Sequence, residues 1–253
     1  LPKPIAPQAR HLVIVAGHAI WKGPQDGATV NYANSGENIE EWNLKDFQKG
    51  QQATYVRHIE IGLDKIKSDT RSVLIFSGGQ TAKSAGPLSE AQSYFSLART
   101  RGIIPPDTAI LSRITTEEFA RDSFENLLFS ICRFYEMTGN YPVQISVVSH
   151  EFKKKRFVDL HRAAIRYPEA QFIFHGLNPD GDVPNEGERT NALVPFTNDP
   201  YGCFDEILLA KKRQRNPFRR QHPYTETCPE LRSLLQFCSL DRSIFNGTVP
   251  WDI

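Results

Sequence analysis

Apolar and polar positions along the chain predict strands that alternate with helices. Short apolar runs bounded by small or polar residues have the composition of buried strands, and they lie at residues 11–16, 73–76, 108–111, 143–148 and 171–174. Apolar residues at intervals of three and four predict amphipathic helices at residues 51–67, 89–101, 123–138 and 152–166. Such alternation is typical of a parallel sheet with right-handed crossovers and helices on both faces. The pattern therefore predicts a doubly wound α/β fold with a mostly parallel sheet of at least five strands.

The same pattern divides the chain into three parts. We expect a linker at residues 1–10, an α/β core at 11–176 and a C-terminal helical and loop extension at 177–253 that packs on the core. The extension is rich in turn signals around two predicted helices, near residues 203–213 and 229–237. A loop as long as residues 19–46 inside a compact domain is usually a lid or a binding loop.

Composition narrows the functional classes. The 253 residues include 40% hydrophobic and 23% charged residues, and the formal net charge is +1. These values are those of an ordinary globular protein and argue against a general nucleic-acid binder. Two basic clusters, at residues 153–156 and 211–215, are most simply solvated helix faces. No run of about 18 apolar residues is present, so we expect a membrane link only through a segment absent from this chain.

Four cysteines lack the paired spacing of a zinc site. Cys132 lies on an apolar helical face and is expected to be a buried thiol, whereas Cys203, Cys228 and Cys238 allow one disulfide. On the loop-entropy model a Cys203–Cys228 bond contributes about 3 kcal/mol, slightly more than a Cys228–Cys238 bond. With the glycosylation sequon at Asn246, this favours the secretory pathway or Golgi lumen, with an N-terminal anchor removed; the alternative is a cytosolic protein with four free thiols.

The carboxyl ends of the predicted strands point to one ligand site. Parallel strands end at a common edge, where doubly wound sheets bind their ligands. The segments at these ends include Gly17 with His18, Ser77 with Gly78 and Gly79, Ser112 with Arg113, Ser149 with His150, and His175 with Gly176. Paired glycines let a backbone approach a ligand closely. The Ser77–Gly79 turn fits neither a Walker loop nor a dinucleotide fingerprint.

Three groups of polar residues accompany this edge. Ser89 and Glu90 open one helix, where Ser89 has the position of an N-cap and Glu90 could act as acid, base or metal ligand. Glu117, Glu125 and Asn126 surround a second helix start, in which Asp122 and Glu125 form a capping-box-like pattern. The third group is Ser149, His150, Lys153 and Arg156, whose cations suit a phosphate or carboxylate. His150 or His18 is the expected general acid or base. No GxSxG elbow is present, which argues against a Ser-His-Asp hydrolase.

Taken in order, these groups resemble the YdcF/SanA/ElyC-like family, catalogued as domain of unknown function 218, over roughly residues 11 to 176. The matching segments are Ala16-Gly17-His18, Ser77-Gly78-Gly79, Ser89-Glu90-Ala91, Glu117 with Ser123, Glu125 and Asn126, and Val148-Ser149 with Arg156. Two features depart from the family pattern. The first turn has fewer glycines, and the family histidine falls on Lys153. The resemblance implies a Rossmann-like fold and a link to cell-envelope and carrier-lipid metabolism, and it specifies no cofactor.

From the residues and the resemblance we hypothesise an enzyme that acts on a small phosphorylated or otherwise anionic substrate by hydrolysis or group transfer. Gly17 and the backbone of Ser77, Gly78 and Gly79 would cradle the anion, Lys153 and Arg156 would neutralise it, and Ser89 and Ser149 would add polar contacts. Glu90 and Glu125 would serve as acid, base or metal ligands, and Asn126 would orient the substrate. One alternative is a protein or transferase that binds a nucleoside or S-adenosylmethionine, with Glu117 on the ribose hydroxyls. Another is a non-catalytic envelope or Golgi-associated protein.

Overall fold

A computed structural model describes residues 3–24, 31–179 and 186–252. Parts of the predicted N-terminal linker (1–2), long loop (25–30) and turn-rich extension (180–185) lie outside these ranges. The strands are β1 (His11–Ala16), β2 (Ile20–Trp21), β3 (Trp42–Asn43), β4 (Ser72–Ser77), β5 (Ile114–Glu117), β6 (Gln144–Ser149) and β7 (Phe172–Gly176). The α-helices are α1 (Gln52–Ser68), α2 (Glu90–Thr100), α3 (Thr108–Leu111), α4 (Ser123–Thr138), α5 (Arg162–Ala164), α6 (Glu186–Glu188), α7 (Val194–Asn198), α8 (Glu206–Gln214), α9 (Tyr224–Thr227) and α10 (Arg232–Leu235).

Five strands form one parallel sheet in the order β5-β4-β1-β6-β7. The chain steps outward from β1 to β4 and β5, and then returns past β1 to build β6 and β7. This reversal places a topological switch point beside β1, where neighbouring loops leave the sheet in opposite directions. The predicted doubly wound, Rossmann-like α/β fold is therefore confirmed.

Alternating side chains of the central strands fill two cores, one on each face of the sheet. On one face, Val13, Val15 and Leu74 pack with apolar residues of α1 and α2. On the other, Leu12 and Ile14 pack against α4, together with apolar residues of the C-terminal extension. The residues of β1 from Leu12 to Val15 are fully buried, because a central strand of a doubly wound sheet is covered on both faces.

The prediction of a third strand at residues 108–111 is wrong. This segment forms the short helix α3, and the strand follows it as β5. Asp107 caps α3 by accepting a hydrogen bond from the N–H of Ala109 at 2.8 Å, and a short apolar run cannot by itself distinguish a strand from a helical turn. Ser112 and Arg113 consequently precede β5 instead of following it. Arg113 donates to the carbonyls of Asp69 and Ser72 beside the start of β4, at the amino edge of the sheet.

The segment after β6 is helical but irregular. It begins as a 3₁₀ turn, Glu151–Lys153, and continues as a π-helical turn, Arg156–His161, before α5. Wider π turns occur often at functional sites, because they redirect side chains that a regular helix would carry elsewhere. Here Arg156 and His161 are both buried.

The two ends of the chain pack on the α4 face. Ile5 and Ala6 donate their backbone N–H groups to the carbonyl of Met137. At the other end, Tyr201, Tyr224 and Trp251 belong to the same core cluster as Leu12 and Ile14. None of the helices in the described ranges is long and apolar enough to cross a membrane.

Cys203 and Cys238 form a disulfide. The predicted pairings of Cys228, with Cys203 or with Cys238, are therefore wrong. Loop entropy ranks pairings by length alone, whereas packing decides which sulfurs meet. Cys228 is fully buried and its sulfur lies 3.6 Å from the Tyr141 hydroxyl. Cys132 is a buried free thiol, as its apolar helical face predicted.

Candidate functional site

A cavity of about 590 Å³ opens at the carboxyl edge of the sheet, beside the switch point. Its wall combines the turn after β1, the segment before α1, the starts of α2 and α4, the π turn and helices α6 to α8. The charged and histidine side chains along it are His18, Lys45, Glu90, Arg121, Asp122, His150, Lys153, Arg156, Glu188, Lys211 and Arg215.

The structure divides the residues predicted from the sequence into two sets. Those that line the cavity are Gly17, His18, Glu90, Asn126, His150, Lys153 and Arg156. Those that lie behind its wall are Ser77, Gly78, Gly79, Ser89, Glu117, Glu125 and Ser149. The second set holds the wall in position, and each of its members has a protein partner for the group that was expected to meet a ligand.

The turn after β4 does not provide an anion cradle. The N–H of Gly78 donates to the carbonyl of Glu117 at 2.9 Å, and that of Gly79 to the carbonyl of Ala120 at 2.8 Å. The carbonyls of Gly79 and Gly78 in turn accept from the N–H groups of Glu90 and Ala91. The glycine pair therefore seats the start of α2, and no amide is left for an anion.

Glycine is required in this turn by the approach of Glu90. A Cβ built on Gly78 would lie 2.5 Å from Glu90 Oε2, and one built on Gly17 would lie 2.7 Å from Glu90 Cβ. Both distances are shorter than van der Waals contact. The backbone thus comes close to a catalytic candidate instead of to the ligand itself.

The Glu117 carboxylate is buried and hydrogen-bonded to other groups of the protein, and it does not line the cavity. Its carboxylate accepts hydrogen bonds from the hydroxyls of Ser77 and Tyr224 and from the N–H of Phe119, at 2.8, 3.2 and 2.7 Å. The side chain is fully buried, and burial raises the pKa of Glu117 to about 7. It cannot reach ribose hydroxyls in the cavity, which removes the residue on which the nucleoside alternative depended.

Glu125, Ser89 and Ser149 are also held by the protein. Arg121 donates hydrogen bonds to the Glu125 carboxylate from its backbone N–H and from its guanidinium. The closest contact, from Arg121 Nη2 to Glu125 Oε1, is 2.5 Å. Ser89 caps α2 by accepting from the N–H of Gln92 at 2.9 Å. The hydroxyl of Ser149 lies 3.4 Å from His18 Nε2. Glu125 is thus excluded from the acid–base role predicted for it.

Glu90 faces the cavity with one strong partner. Its Oε1 accepts from the hydroxyl of Thr81 at 2.5 Å. Burial raises the pKa of Glu90 above its usual value, although the hydrogen bond from Thr81 and the charges of Arg215 and Lys153 act in the opposite direction. A glutamate with a raised pKa keeps its proton more readily than an exposed one, which suits a general acid.

His18 and Lys153 form a contact that two protonated groups could not make. Lys153 Nζ lies 2.9 Å from His18 Nδ1, so at least one of the two must be neutral. Burial, followed by the nearby charge of Lys153, holds the pKa of His18 well below its usual value. Burial and Arg156 lower the pKa of Lys153 to about 7. The lysine thus titrates near neutral pH, where an unperturbed histidine would.

His150 stacks between two rings. Its centroid lies 4.4 Å from His18 and 4.7 Å from Phe152. Burial and Lys153 lower the pKa of His150 to about 2. It therefore remains neutral at physiological pH and supports His18 as a stacking partner more than as a base.

Besides Arg121, three cations of the wall were not predicted to belong to the site. Lys211 and Arg215 come from α8 and the residue after it, and Lys45 comes from the loop before α1. Burial and Arg215 lower the pKa of Lys211 to about 8, and the same two causes lower the pKa of Lys45. The basic cluster at residues 211–215 contains two of them, so its interpretation as a solvated helix face is wrong for Lys211 and Arg215.

Within the described ranges, no group of three or more His, Cys, Asp or Glu side chains is arranged to hold a metal ion. Glu90 and Glu125, the predicted metal ligands, belong to different hydrogen-bonded networks, one with Thr81 and the other with Arg121.

Comparison with known proteins gives one curated relative over the whole chain. The chain is 32% identical over 298 aligned positions to the uncharacterized protein YOR238W of Saccharomyces cerevisiae, and the alignment covers 95% of this chain and 96% of the yeast protein. No family model matches the chain. No solved structure matches it either.

Proposed function

We propose that this chain, which belongs to one family with the yeast protein YOR238W, is an enzyme that acts on a small phosphorylated substrate. The proposed reaction is hydrolysis or group transfer at the phosphate ester. One observation carries the proposal. Six cationic side chains converge on the cavity from four separate segments, and the carboxylates beside them are too few to neutralise them.

The charges can be paired one by one. Arg121 is held by Glu125, and Asp122 lies 3.5 Å from Lys212 behind the wall. Arg156 faces Glu188, with Nε and Oε1 3.2 Å apart. The remaining cations of the wall are Lys45, Lys153, Lys211 and Arg215, and against them stands Glu90.

Burial, and after it the charge of the neighbouring cations, lowers the pKa values of Lys45, Lys153 and Lys211. A cation among cations loses its proton more easily, and a bound dianion would reverse the effect. Guanidinium and ammonium groups are also the donors with which proteins bind phosphate. The wall therefore favours a ligand that carries two or more negative charges, such as a phosphate monoester.

Glu90 and Asn126 complete the proposed chemistry. The protonated form of Glu90 can donate to the leaving oxygen of the ester, and its carboxylate can then activate water. Asn126 anchors the end of β4 by donating to the carbonyl and hydroxyl of Ser77, and so lies at the cavity in a fixed position. The resemblance to the YdcF-like family, which implies a fold and a site but no particular reaction, is part of the proposal.

A ligand screen by thermal shift tests the proposal. Inorganic phosphate, sugar phosphates and nucleotides should raise the melting temperature, whereas S-adenosylmethionine should not. A ligand at 100 times its dissociation constant adds about 2.7 kcal/mol to the free energy of unfolding. Release of inorganic phosphate from the stabilising esters then measures turnover.

Two variants of one helix region provide the matched comparison. Arg215→Ala removes a cation of the cavity wall, and Arg213→Ala removes the same charge from the exposed side of α8. The first should lose the stabilisation by phosphate and the second should keep it. Equal responses in the two variants, or no response of the natural sequence to any phosphate ester, would contradict the proposed function.

A further inference from the structure

A serine and a histidine that the chemistry above does not use form a close pair in the cavity wall. Ser123 is the first residue of α4, and His161 is the last residue of the π turn. The Ser123 hydroxyl lies 2.7 Å from His161 Nε2, and Ser123 lines the cavity. The two residues are 38 positions apart, which is why no local motif indicated that they form a pair.

The surroundings of His161 leave it this single polar contact. Its ring is fully buried among Phe124, Phe157 and Phe196, with centroid distances of 5.7, 5.5 and 4.6 Å. Within the described part of the chain its Nδ1 has no hydrogen-bond partner. A histidine that serves packing alone is normally bonded at its buried polar atoms. This ring is instead fixed by aromatic contacts with Nε2 directed at a serine.

The electrostatic setting suits a nucleophile. Burial and the charge of Arg156 keep the pKa of His161 well below its usual value, so the ring is neutral and its Nε2 is free to accept the hydrogen bond of the Ser123 hydroxyl. Ser123 lies at the start of a 16-residue helix, where the helix dipole favours negative charge on an adjacent group. A developing alkoxide at Ser123 would therefore be stabilised.

We propose that Ser123 is a nucleophile and His161 its general base in a two-step phosphoryl transfer, an inference that rests on the proposed function and deepens it. In the first step the Ser123 Oγ–P bond forms and the bond from phosphorus to the leaving oxygen breaks. His161 accepts the serine proton, and protonated Glu90 donates a proton to the leaving oxygen. The products are an alcohol and a phosphoserine.

The second step restores every group. Water attacks phosphorus, the Oγ–P bond breaks, and inorganic phosphate leaves. The Glu90 carboxylate takes the proton of the attacking water, and the imidazolium of His161 returns its proton to Ser123. When an acceptor alcohol replaces water, the same step becomes group transfer. No oxidant, reductant or further reactant is needed.

Covalent labelling tests the pair without knowledge of the natural substrate. A fluorophosphonate reacts with a histidine-activated serine, with loss of fluoride and transfer of the serine proton to the histidine. We expect labelling at Ser123, located by peptide mass spectrometry, to be lost in His161→Asn and slowed by inorganic phosphate. The absence of labelling on the natural sequence, or labelling at another serine, would overturn the inference.

Kinetics on a substrate found by the ester screen provide a second measurement. Ser123→Ala should lower turnover by at least about 100-fold, the scale expected for loss of acid–base or nucleophilic catalysis, while phosphate still raises the melting temperature. Ser130→Ala is the matched control, because Ser130 is a buried serine of the same helix with an unpartnered hydroxyl. Full activity in Ser123→Ala would reject the nucleophile while leaving the proposed function intact.

The two proposals fail in different ways. If Ser123 is labelled but phosphate neither slows the reaction nor stabilises the chain, the dyad is supported and the phosphate substrate is wrong. If phosphate esters bind and are hydrolysed without a phosphoserine or labelling at Ser123, the substrate class is supported and the dyad is wrong.

Discussion

Single residues of the cavity wall carry charges that respond to a ligand. The lysines there have lowered pKa values, because burial and neighbouring cations disfavour their charged forms. Such groups cost stability in the empty protein and gain a partner when an anion binds. Such a site can be detected by the number of protons that the protein takes up when it binds an anion, even before the substrate is known.

Anion binding should take up protons between about pH 7 and 8. Lys153 has a pKa of about 7 and Lys211 one of about 8, and a bound phosphate dianion raises both pKa values. Affinity for phosphate should therefore fall as the pH rises through this range and the lysines become neutral. Calorimetry at pH 7.5 in two buffers of different ionisation enthalpy measures the uptake, and Lys153→Met should diminish it.

The same lysine should oppose stability. The folded-state pKa of Lys153 is depressed below its ordinary value, so between about pH 7 and 10 the unfolded chain binds more protons, and stability from this group rises with pH. Below pH 7 the folded protein must hold the charge. We expect Lys153→Met to raise the melting temperature at pH 6 while it weakens phosphate binding; a lower melting temperature would contradict this prediction.

Arg156→Ala should weaken phosphate binding by about 1.5–3 kcal/mol, the value of a charge-assisted hydrogen bond. Arg156 is buried in the wall, whereas the adjacent Lys155 is exposed and pairs with Asp159. Lys155→Ala is therefore the control, and the two dissociation constants are compared by calorimetry. An unchanged affinity in Arg156→Ala would remove this arginine from the site.

Glu117 should make stability depend on pH in the opposite sense to an ordinary surface carboxylate. Its folded-state pKa of about 7 lies above the ordinary value, so its contribution is full below about pH 4.5 and is lost as the pH rises through 7. We expect Glu117→Gln to cost about 1–3 kcal/mol at pH 5, and less at pH 8. Urea unfolding at both values measures the difference, with the partly exposed neighbour Glu118→Gln as control; a cost that grows with pH would contradict the assignment.

At the scale of elements, the start of α2 fixes Glu90 against two backbone turns. Gly17→Ala places a methyl group 2.7 Å from Glu90 Cβ, and overpacking of this kind typically costs about 1–3 kcal/mol. The carboxyl should move and turnover should fall. A Cβ added at Gly187 meets no atom of the described residues within 4 Å, and Gly187→Ala serves as control. Thermal unfolding and the phosphate-release assay read both effects, and equal behaviour of the two variants would refute the role given to Gly17.

Elements with a clear period were predictable, and isolated turns were not. The spacing of apolar residues and the glycine stop at Gly139, which has a φ of +68°, define α4. The helix α3 has four residues and therefore too few positions to show a period. Because this helix was predicted as a strand, Ser112 and Arg113 were expected at the carboxyl edge of the sheet, whereas they lie at the amino edge.

The sequence was sufficient to predict where the candidate site lies, but not which side chains and amides contact the cavity. Strand ends located the edge, because parallel strands must finish together. Whether Gly78 offers its N–H to a ligand or to Glu117 depends on how β5 meets β4, and no local pattern encodes that register. The dyad of Ser123 and His161 likewise forms only when α4 and the π turn pack together.

At the scale of the whole molecule, the disulfide ties the extension that carries Lys211 and Arg215. Cys203 and Cys238 are 35 residues apart, and closing such a loop contributes about 4 kcal/mol on the chain-entropy model. Reduction should therefore lower the melting temperature, and Cys203→Ser should behave as the reduced protein does. An unchanged melting temperature on reduction would show that packing alone holds the extension.

Alkylation and intact mass report the disulfide directly. Cys132 and Cys228 are free thiols, so two cysteines should alkylate under denaturing conditions before reduction and four after it. Applied to protein from its native source, the same measurement tests the proposed lumenal location, because disulfides persist in oxidising compartments. Four alkylated cysteines before reduction would argue for the cytosolic alternative.

The involvement of the extension in the wall has a consequence for biosynthesis. All five strands of the sheet are present once residue 176 has been translated, yet Lys211, Arg215 and the hydroxyl of Tyr224 that reaches Glu117 follow later. A nascent chain that holds all five strands thus still lacks the cations that the extension contributes to the cavity wall. The complete set of charges around the cavity exists only after the extension has also been translated.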